Sequence, residues 1–193
     1  MPIDVEYLRP DHVGTPTRDI LHVSGVSHGD TLDVYAVHLP SKLGGKESQQ
    51  KGMQVAGALK ANIDSIMSRR TNAKIFVMGD FNADMRSSVM SKALSAEDYW
   101  QNSAHVDSIL YDVVEGTVGK GMGSYKYRGV WSVIDHILVS GNVDVLSAGV
   151  LSNDALLEED TKYGGKKPRR TYVGFKYNGG ISDHLPVWVK IRW

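Results

Sequence analysis

Lys74-Ile75-Phe76-Val77-Met78-Gly79-Asp80-Phe81-Asn82 is the stretch on which the fold turns. Its unbroken apolar run reads as a strand buried on both faces, and its polar end reads as the mouth of a loop. Just upstream, from about Glu47 to Arg70, Met53, Val55, Ala56, Leu59, Ile63, Ile66 and Met67 fall on one stripe. That spacing predicts an amphipathic helix ending in two arginines suited to a helix C-terminus, weakened slightly by Gly52 and Gly57. Further upstream, Asp19 to Ser24 and Leu32 to Leu39 are β-rich and joined by Gly25 to Thr31, as in a hairpin. Pro40 stops the second strand, and Gly44-Gly45 marks a loop. Downstream, Val133 to Ser140, Val143 to Leu151 and Leu185 to Ile191 add further strands. Many strands around one strong helix predict a layered α/β domain spanning 1–193, with no repeat or linker.

Composition narrows the function. The 193 residues carry 22 Lys+Arg against 22 Asp+Glu, so any contact with nucleic acid must be local rather than a bulk charge effect. No apolar run approaches the ~20 residues a membrane-spanning helix needs. Met1 to Glu6 lacks the basic and apolar regions of a signal peptide. With no cysteine, thiolate metal sites, disulfides and cysteine nucleophiles are excluded. Lys162 to Lys176 holds six Lys/Arg and no acid, and reads either as a phosphate-facing loop or as a solvated turn.

Gly25-Val26-Ser27-His28-Gly29 matches the G-x-S-x-G elbow of serine hydrolases, which needs a strand before it and a helix after it. Here an alternating strand follows instead. Ser27 therefore belongs to a turn.

Four polar clusters sit at the ends of apolar strands: His38; Asp80 with Asn82; Asp135 with His136; and Asp183 with His184. Each has an ordinary alternative, such as an Asx turn at Asp80 and Asn82 or a capped turn at Ser182-Asp183. Together they fit phosphate-ester hydrolysis. Asp80 and Asn82, two apart, would point the same way in an extended segment, one accepting a proton from water and the other binding a phosphoryl oxygen. Asp183 offers a hard oxygen to Mg²⁺, which favours one or two carboxylates plus waters and phosphate. His184 can meet charge on phosphate, with a carboxylate such as Asp135 fixing its tautomer. His38 supplies a further cationic or acidic group on the leaving-group side.

Val37-His38-Leu39-Pro40-Ser41-Lys42, Gly79-Asp80-Phe81-Asn82, Ile134-Asp135-His136-Ile137-Leu138-Val139-Ser140 and Ser182-Asp183-His184-Leu185-Pro186-Val187 resemble, in this order, the endonuclease/exonuclease/phosphatase superfamily of DNase I-like enzymes. Gly123-Ser124-Tyr125-Lys126-Tyr127 and Tyr163 to Gly180 resemble a generic bacterial branch of it. The resemblance implies a DNase I-like four-layer α-β-β-α sandwich and a hydrolase using Mg²⁺, with Mn²⁺ or Ca²⁺ as alternatives. It assigns phosphate contact to His38, water activation to Asp80, the phosphoryl oxygen or that water to Asn82, orientation of His184 to Asp135, metal binding to Asp183, and transition-state stabilisation to His184. It also implies that Met1-Pro2-Ile3-Asp4-Val5 corresponds to the middle of the family domain, so the fold is expected to be N-terminally incomplete. Glu6 does not fit the family's metal-ligand motif.

The leading expectation is a metal-dependent phosphoesterase acting on phosphodiesters, nucleic acid among them. The alternatives are an inactive remnant serving as a binding module and a lipid- or sugar-phosphate phosphatase on the same fold. An incomplete fold predicts an apolar face along Asp19 to Leu39 and the preceding segment, and self-association through it.

Overall fold

The computed structural model describes residues 1–10, 17–41 and 44–193, so Lys42 of the first resembling stretch lies outside the described residues. The chain opens with β1 (Pro2–Leu8), β2 (Ile20–Ser27) and β3 (Asp30–His38), crosses through α1 (Gly45–Arg69) and enters β4 (Lys74–Asp80). Short strands β5 (Glu97–Asp98), β6 (Leu110–Asp112), β7 (Tyr125–Tyr127) and β8 (Val130–Ser132) lead to β9 (Asp135–Ser140) and β10 (Asp144–Val150). Four small strands follow: β11 (Leu157–Glu159), β12 (Lys166–Pro168), β13 (Tyr172–Val173) and β14 (Lys176–Tyr177). Strand β15 (Val187–Arg192) closes the chain.

Seven strands form one mixed sheet in the order β1-β2-β3-β4-β9-β6-β5, and β10 pairs with β15 in a second, narrow sheet. The helix between β3 and β4 lets those two strands run parallel, because a parallel pair needs a long crossover. Alternation along β4 then sorts its side chains. Ile75 and Val77 turn into a core with Val55, Ala56, Leu59 and Ile63 of α1. Phe76 and Met78 turn the other way, into a core with Val145 and Ala148 of β10 and Val189 and Ile191 of β15. A strand covered on both faces has to be apolar throughout, which is how its sequence reads.

The architecture is the expected DNase I-like α/β sandwich. The described residues build three of its layers: α1, the large sheet and the narrow sheet. Among them no α-helix other than α1 occurs, and none is long and apolar enough to cross a membrane.

Three local expectations are corrected. The β2–β3 connection is not the long Gly25–Thr31 loop. The strands stay paired to Ser27↔Asp30, and His28 (φ 51) and Gly29 (φ 89) alone make the turn. Positive φ at both positions suits the twist of a hairpin, and polar residues at the strand ends hid how far the ladder extends. Second, α1 starts at Gly45, inside the predicted loop. Third, Lys162 to Lys176 is not one turn, because β11 pairs with β12 and β13 with β14 as two small ladders.

Candidate active site

The sheet register assembles the site. His38 pairs with Asp80 across β3 and β4, and Asp80 pairs with Asp135 across β4 and β9. Register partners share a face, so three polar side chains from three strands stand in a row at one end of the sheet. His38 Nε2 lies 3.4 Å from Asp80 Oδ2. His184, 49 residues beyond Asp135, completes the row with its Nδ1 2.7 Å from Asp135 Oδ2. A charge-assisted hydrogen bond of that length fixes the ring's orientation.

Gly79 lets β4 reach this geometry. Its φ is 141°, and a Cβ there would sit 2.0 Å from the Val37 carbonyl oxygen, so no side chain fits beside β3. Asn82 follows in a left-handed conformation (φ 49), which asparagine tolerates better than most residues. The segment is therefore not extended, contrary to the expectation that set Asp80 and Asn82 side by side through strand alternation. A turn brings them together instead. Asp80 Oδ1 accepts from the Asn82 backbone N–H at 2.7 Å, and the Asn82 side-chain amide donates to Asp80 Oδ2 at 3.2 Å and to the Leu39 carbonyl at 2.9 Å. The Asx turn and the polar cluster are the same object.

Burial raises the Asp80 carboxyl above its ordinary pKa. The Asn82 N–H opposes the rise, the Asp135 charge adds to it, and His184 and His38 work against it. For His184, burial disfavours the imidazolium, but the hydrogen bond and charge of Asp135, with the charges of Asp80 and Asp183, outweigh it. Its pKa is raised. The row is thus a base with strengthened affinity for a proton beside a histidine that holds its proton above the usual range.

Ligand atoms of Asp80, Asp135 and His184 lie within 4.8 Å of one another, and no other such group of three occurs among the described residues. Two carboxylates at this spacing fit the oxygen preference of Mg²⁺, while the nearer His184 nitrogen is engaged by Asp135. Asp183, the expected metal ligand, is outside this trio. It is exposed at the rim, with Oδ2 3.6 Å from Arg170 Nη2.

Several residues that hold the site had no role assigned from the sequence. Ser124 is fully buried, and its hydroxyl accepts the N–H groups of Ile134 and Asp135, each at 3.2 Å. Its carbonyl accepts the Leu185 N–H at 2.7 Å, tying the strand of Asp135 to the residue after His184. The Tyr125 ring packs 4.7 Å from the His184 ring. Behind Asp80, the buried His136 bonds the Ala83 carbonyl at 2.8 Å through Nε2 and Asp112 Oδ1 at 3.1 Å through Nδ1. Burial opposes its charge, yet Asp112 and the Ala83 carbonyl raise its pKa. With both nitrogens donating, His136 is an imidazolium that pins the loop after Asp80. Ser27 ends β2 just before the hairpin turn rather than lying in it, its hydroxyl 3.0 Å from His28 Nδ1, with no role in this row.

The chain belongs to the Endonuclease/Exonuclease/phosphatase family, whose profile matches residues 4–193. Solved structures agree on the fold. An endonuclease/exonuclease/phosphatase family protein from Bacteroides thetaiotaomicron superposes with a TM-score of 0.61 at 17% identity, covering 99% of this chain and 63% of its own. The mannosyl-6-phosphatase Bt3783 from B. thetaiotaomicron VPI-5482 gives 0.58 at 17% identity, covering 100% and 67%. Truncated Caenorhabditis elegans TDP2 gives 0.59 at 16% identity, covering 96% and 64%. This chain thus spans about two thirds of the length of the structures it matches. A search of curated proteins found no sequence match.

Proposed function

We propose that the chain carries the site of a metal-dependent phosphoesterase that hydrolyses phosphodiester bonds. The supporting observation is the row of His38, Asp80 and Asp135 across three strand ends, closed by His184 bonded to Asp135 at 2.7 Å. Asp80 takes a proton from the attacking water, and its raised affinity for protons suits that role. Asn82 aligns that water or a phosphoryl oxygen. His184 meets the charge that grows on phosphorus oxygens in the transition state, held in orientation and protonation by Asp135. His38, 45% exposed, faces the leaving-group side.

Mg²⁺, with Mn²⁺ or Ca²⁺ as alternatives, would draw charge off the phosphoryl group. Asp80 and Asp135, the two carboxylates of the trio, would hold the ion, joined by Asp183 on release of its exposed pair with Arg170, which costs little to break. Phosphate esters other than nucleic acid, lipid or sugar phosphates included, fit the same chemistry.

The test is hydrolysis of bis(p-nitrophenyl) phosphate and p-nitrophenyl phosphate with Mg²⁺ and with EDTA. Diester cleavage that EDTA abolishes is expected. Asp135→Asn should lower kcat by about 10–100-fold, the usual cost of losing a carboxylate that orients a site histidine. It should also move the alkaline limb of the pH profile downward, because Asp135 is what holds the His184 proton. Cleavage indifferent to EDTA and to Asp135→Asn would defeat the reading.

A second reading, a binding module rather than an enzyme, rests on a different observation. On β1, Ile3, Val5 and Tyr7 are 64%, 52% and 65% exposed. That apolar strip is where a second copy or a partner would pack. No cleavage of either ester would favour this reading.

A further inference from the structure

Beside His184 opens a cleft of about 320 Å³, within the size range of small-molecule sites, whose lining includes Tyr125, Tyr127, Asn82, Ser132 and His184. The rings of Tyr125 and Tyr127 are nearly parallel, 11° apart in plane, with centroids separated by 6.5 Å. Stacked planar groups sit about 3.4 Å apart, the rise per base along a duplex strand, so a slot for one such group needs walls separated by about twice that. Alternate residues on any strand stand about 6.6 Å apart, and spacing alone would mean little.

The surroundings of the two rings distinguish them from an ordinary pair of strand neighbours. The Tyr125 ring is also packed against the His184 ring at 4.7 Å, and the Arg128 guanidinium carbon lies 5.3 Å from the Tyr127 ring centroid. Both tyrosines line the cleft. The strand that carries them is fixed from its other face: Lys126 Nζ is 3.0 Å from Asp160 Oδ2 in a pair 4% and 5% exposed, and it bonds the Gly164 carbonyl at 2.7 Å. The strand carrying the two rings is therefore held in place, with Ser132 in the cleft lining to meet the edge of an inserted group.

Resting on the phosphoesterase reading, we propose that Tyr125 and Tyr127 form a sandwich slot for a planar aromatic group of the substrate, which places nucleotides ahead of sugar or lipid phosphates. His184 would receive the phosphate while the base enters between the rings. An aryl ring esterified directly to phosphate shares the stacking chemistry, so the test has to separate the two sources.

The experiment is equilibrium binding by tyrosine fluorescence, in EDTA so that no turnover removes the ligand. The ligands are adenosine 5′-monophosphate, ribose 5-phosphate and phenyl phosphate. Base–aromatic stacking predicts that the nucleotide binds about 5- to 100-fold tighter than ribose 5-phosphate. Tyr127→Leu should erase that advantage, and Tyr127→Phe, which keeps the ring, should retain it. Tyr127 is 47% exposed, so neither change disturbs the core. If phenyl phosphate shows the advantage and the nucleotide does not, the occupant is an aryl ester and the nucleotide assignment falls. Equal affinity for nucleotide and ribose 5-phosphate, or no nucleotide binding at millimolar concentration, overturns the slot. Because this readout is binding selectivity, it fails independently of the hydrolysis assay, which tests the phosphoesterase reading alone.

Discussion

The two halves of the large sheet are built to different standards. Around β4 and β9, both faces are covered: Ile75 and Val77 lie under α1, and Phe76 and Val139 lie under the narrow sheet. Around β1 and β2, the described residues occupy only the helix-side face. There, His22 and Ser24 bond the buried Asp33, whose other oxygen pairs with Arg70. On the opposite face, Val5 pairs in register with Val23 and Tyr7 with Leu21, and Val5 and Tyr7 stand more than half exposed. The candidate site sits on the covered half. Precise placement of Asp80 and Asp135 needs a backbone held from both sides, and only that half provides it.

The sharpest way to break this comparison is to unpin the covered half. His136 donates from both nitrogens in a fully buried setting, and its removal leaves the Asp112 charge without its partner. His136→Leu should cost about 3–5 kcal/mol of unfolding free energy, read from urea denaturation. The pH dependence has a defined sign. The folded-state pKa lies above the unfolded value of about 6.5, so the folded state keeps the proton longer. This contribution is complete below pH ~6.5 and drains away as pH rises through the raised value. His184 adds a term of the same sign. Stability that rises between pH 6 and 9, or that falls as steeply in His136→Leu as in the unsubstituted chain, would contradict the assignment.

How much of this was visible in the sequence follows from the same physics. The strand Lys74 to Gly79 was plain, because a strand buried on both faces has to be apolar throughout. The helix was plain from its single stripe. The polar row was visible as four strand-end clusters, but not as a row, since pairing His38 with Asp80 and Asp80 with Asp135 depends on register between distant strands. The turn at Asn82 was legible only as an alternative to an extended segment, and the tightness of the turn at His28-Gly29 was hidden by polar residues at the strand ends. The Asp112–His136 pair was hidden for another reason. A buried charge is legible only with its partner, and the partner lies 24 residues away.

A milder, better controlled test makes one substitution in each half. Ile75 is fully buried between α1 and the sheet, and Ile3 is 64% exposed on β1. Ile75→Val should cost about 0.5–1.5 kcal/mol, the usual effect of removing one buried methylene. Ile3→Val should fall within about 0.5 kcal/mol of zero, as surface changes generally do. Equal costs at the two positions would mean that the β1 face is packed as tightly as the centre, and the comparison would collapse.

The smallest expected effect on stability comes with a large effect on association. Val5 and Tyr7 lie on β1, at the edge of the sheet among the described residues, and their apolar side chains continue a surface through Val23 and Leu21. Contiguous apolar patches beyond a few hundred Å² are rare on monomers, because water gains when they are covered. The purified chain should therefore show concentration-dependent mass in sedimentation velocity. Val5→Asp with Tyr7→Asp should abolish that behaviour, since a carboxylate buried against a second apolar face loses its hydration without a partner. The same double variant should shift the urea transition by no more than about 0.5 kcal/mol per site, because neither side chain belongs to either core. A wild-type chain that stays monomeric across the concentration range would show that water tolerates this face, and the proposed self-association would be lost. A double variant that unfolds would place Val5 and Tyr7 in the core, against their exposure.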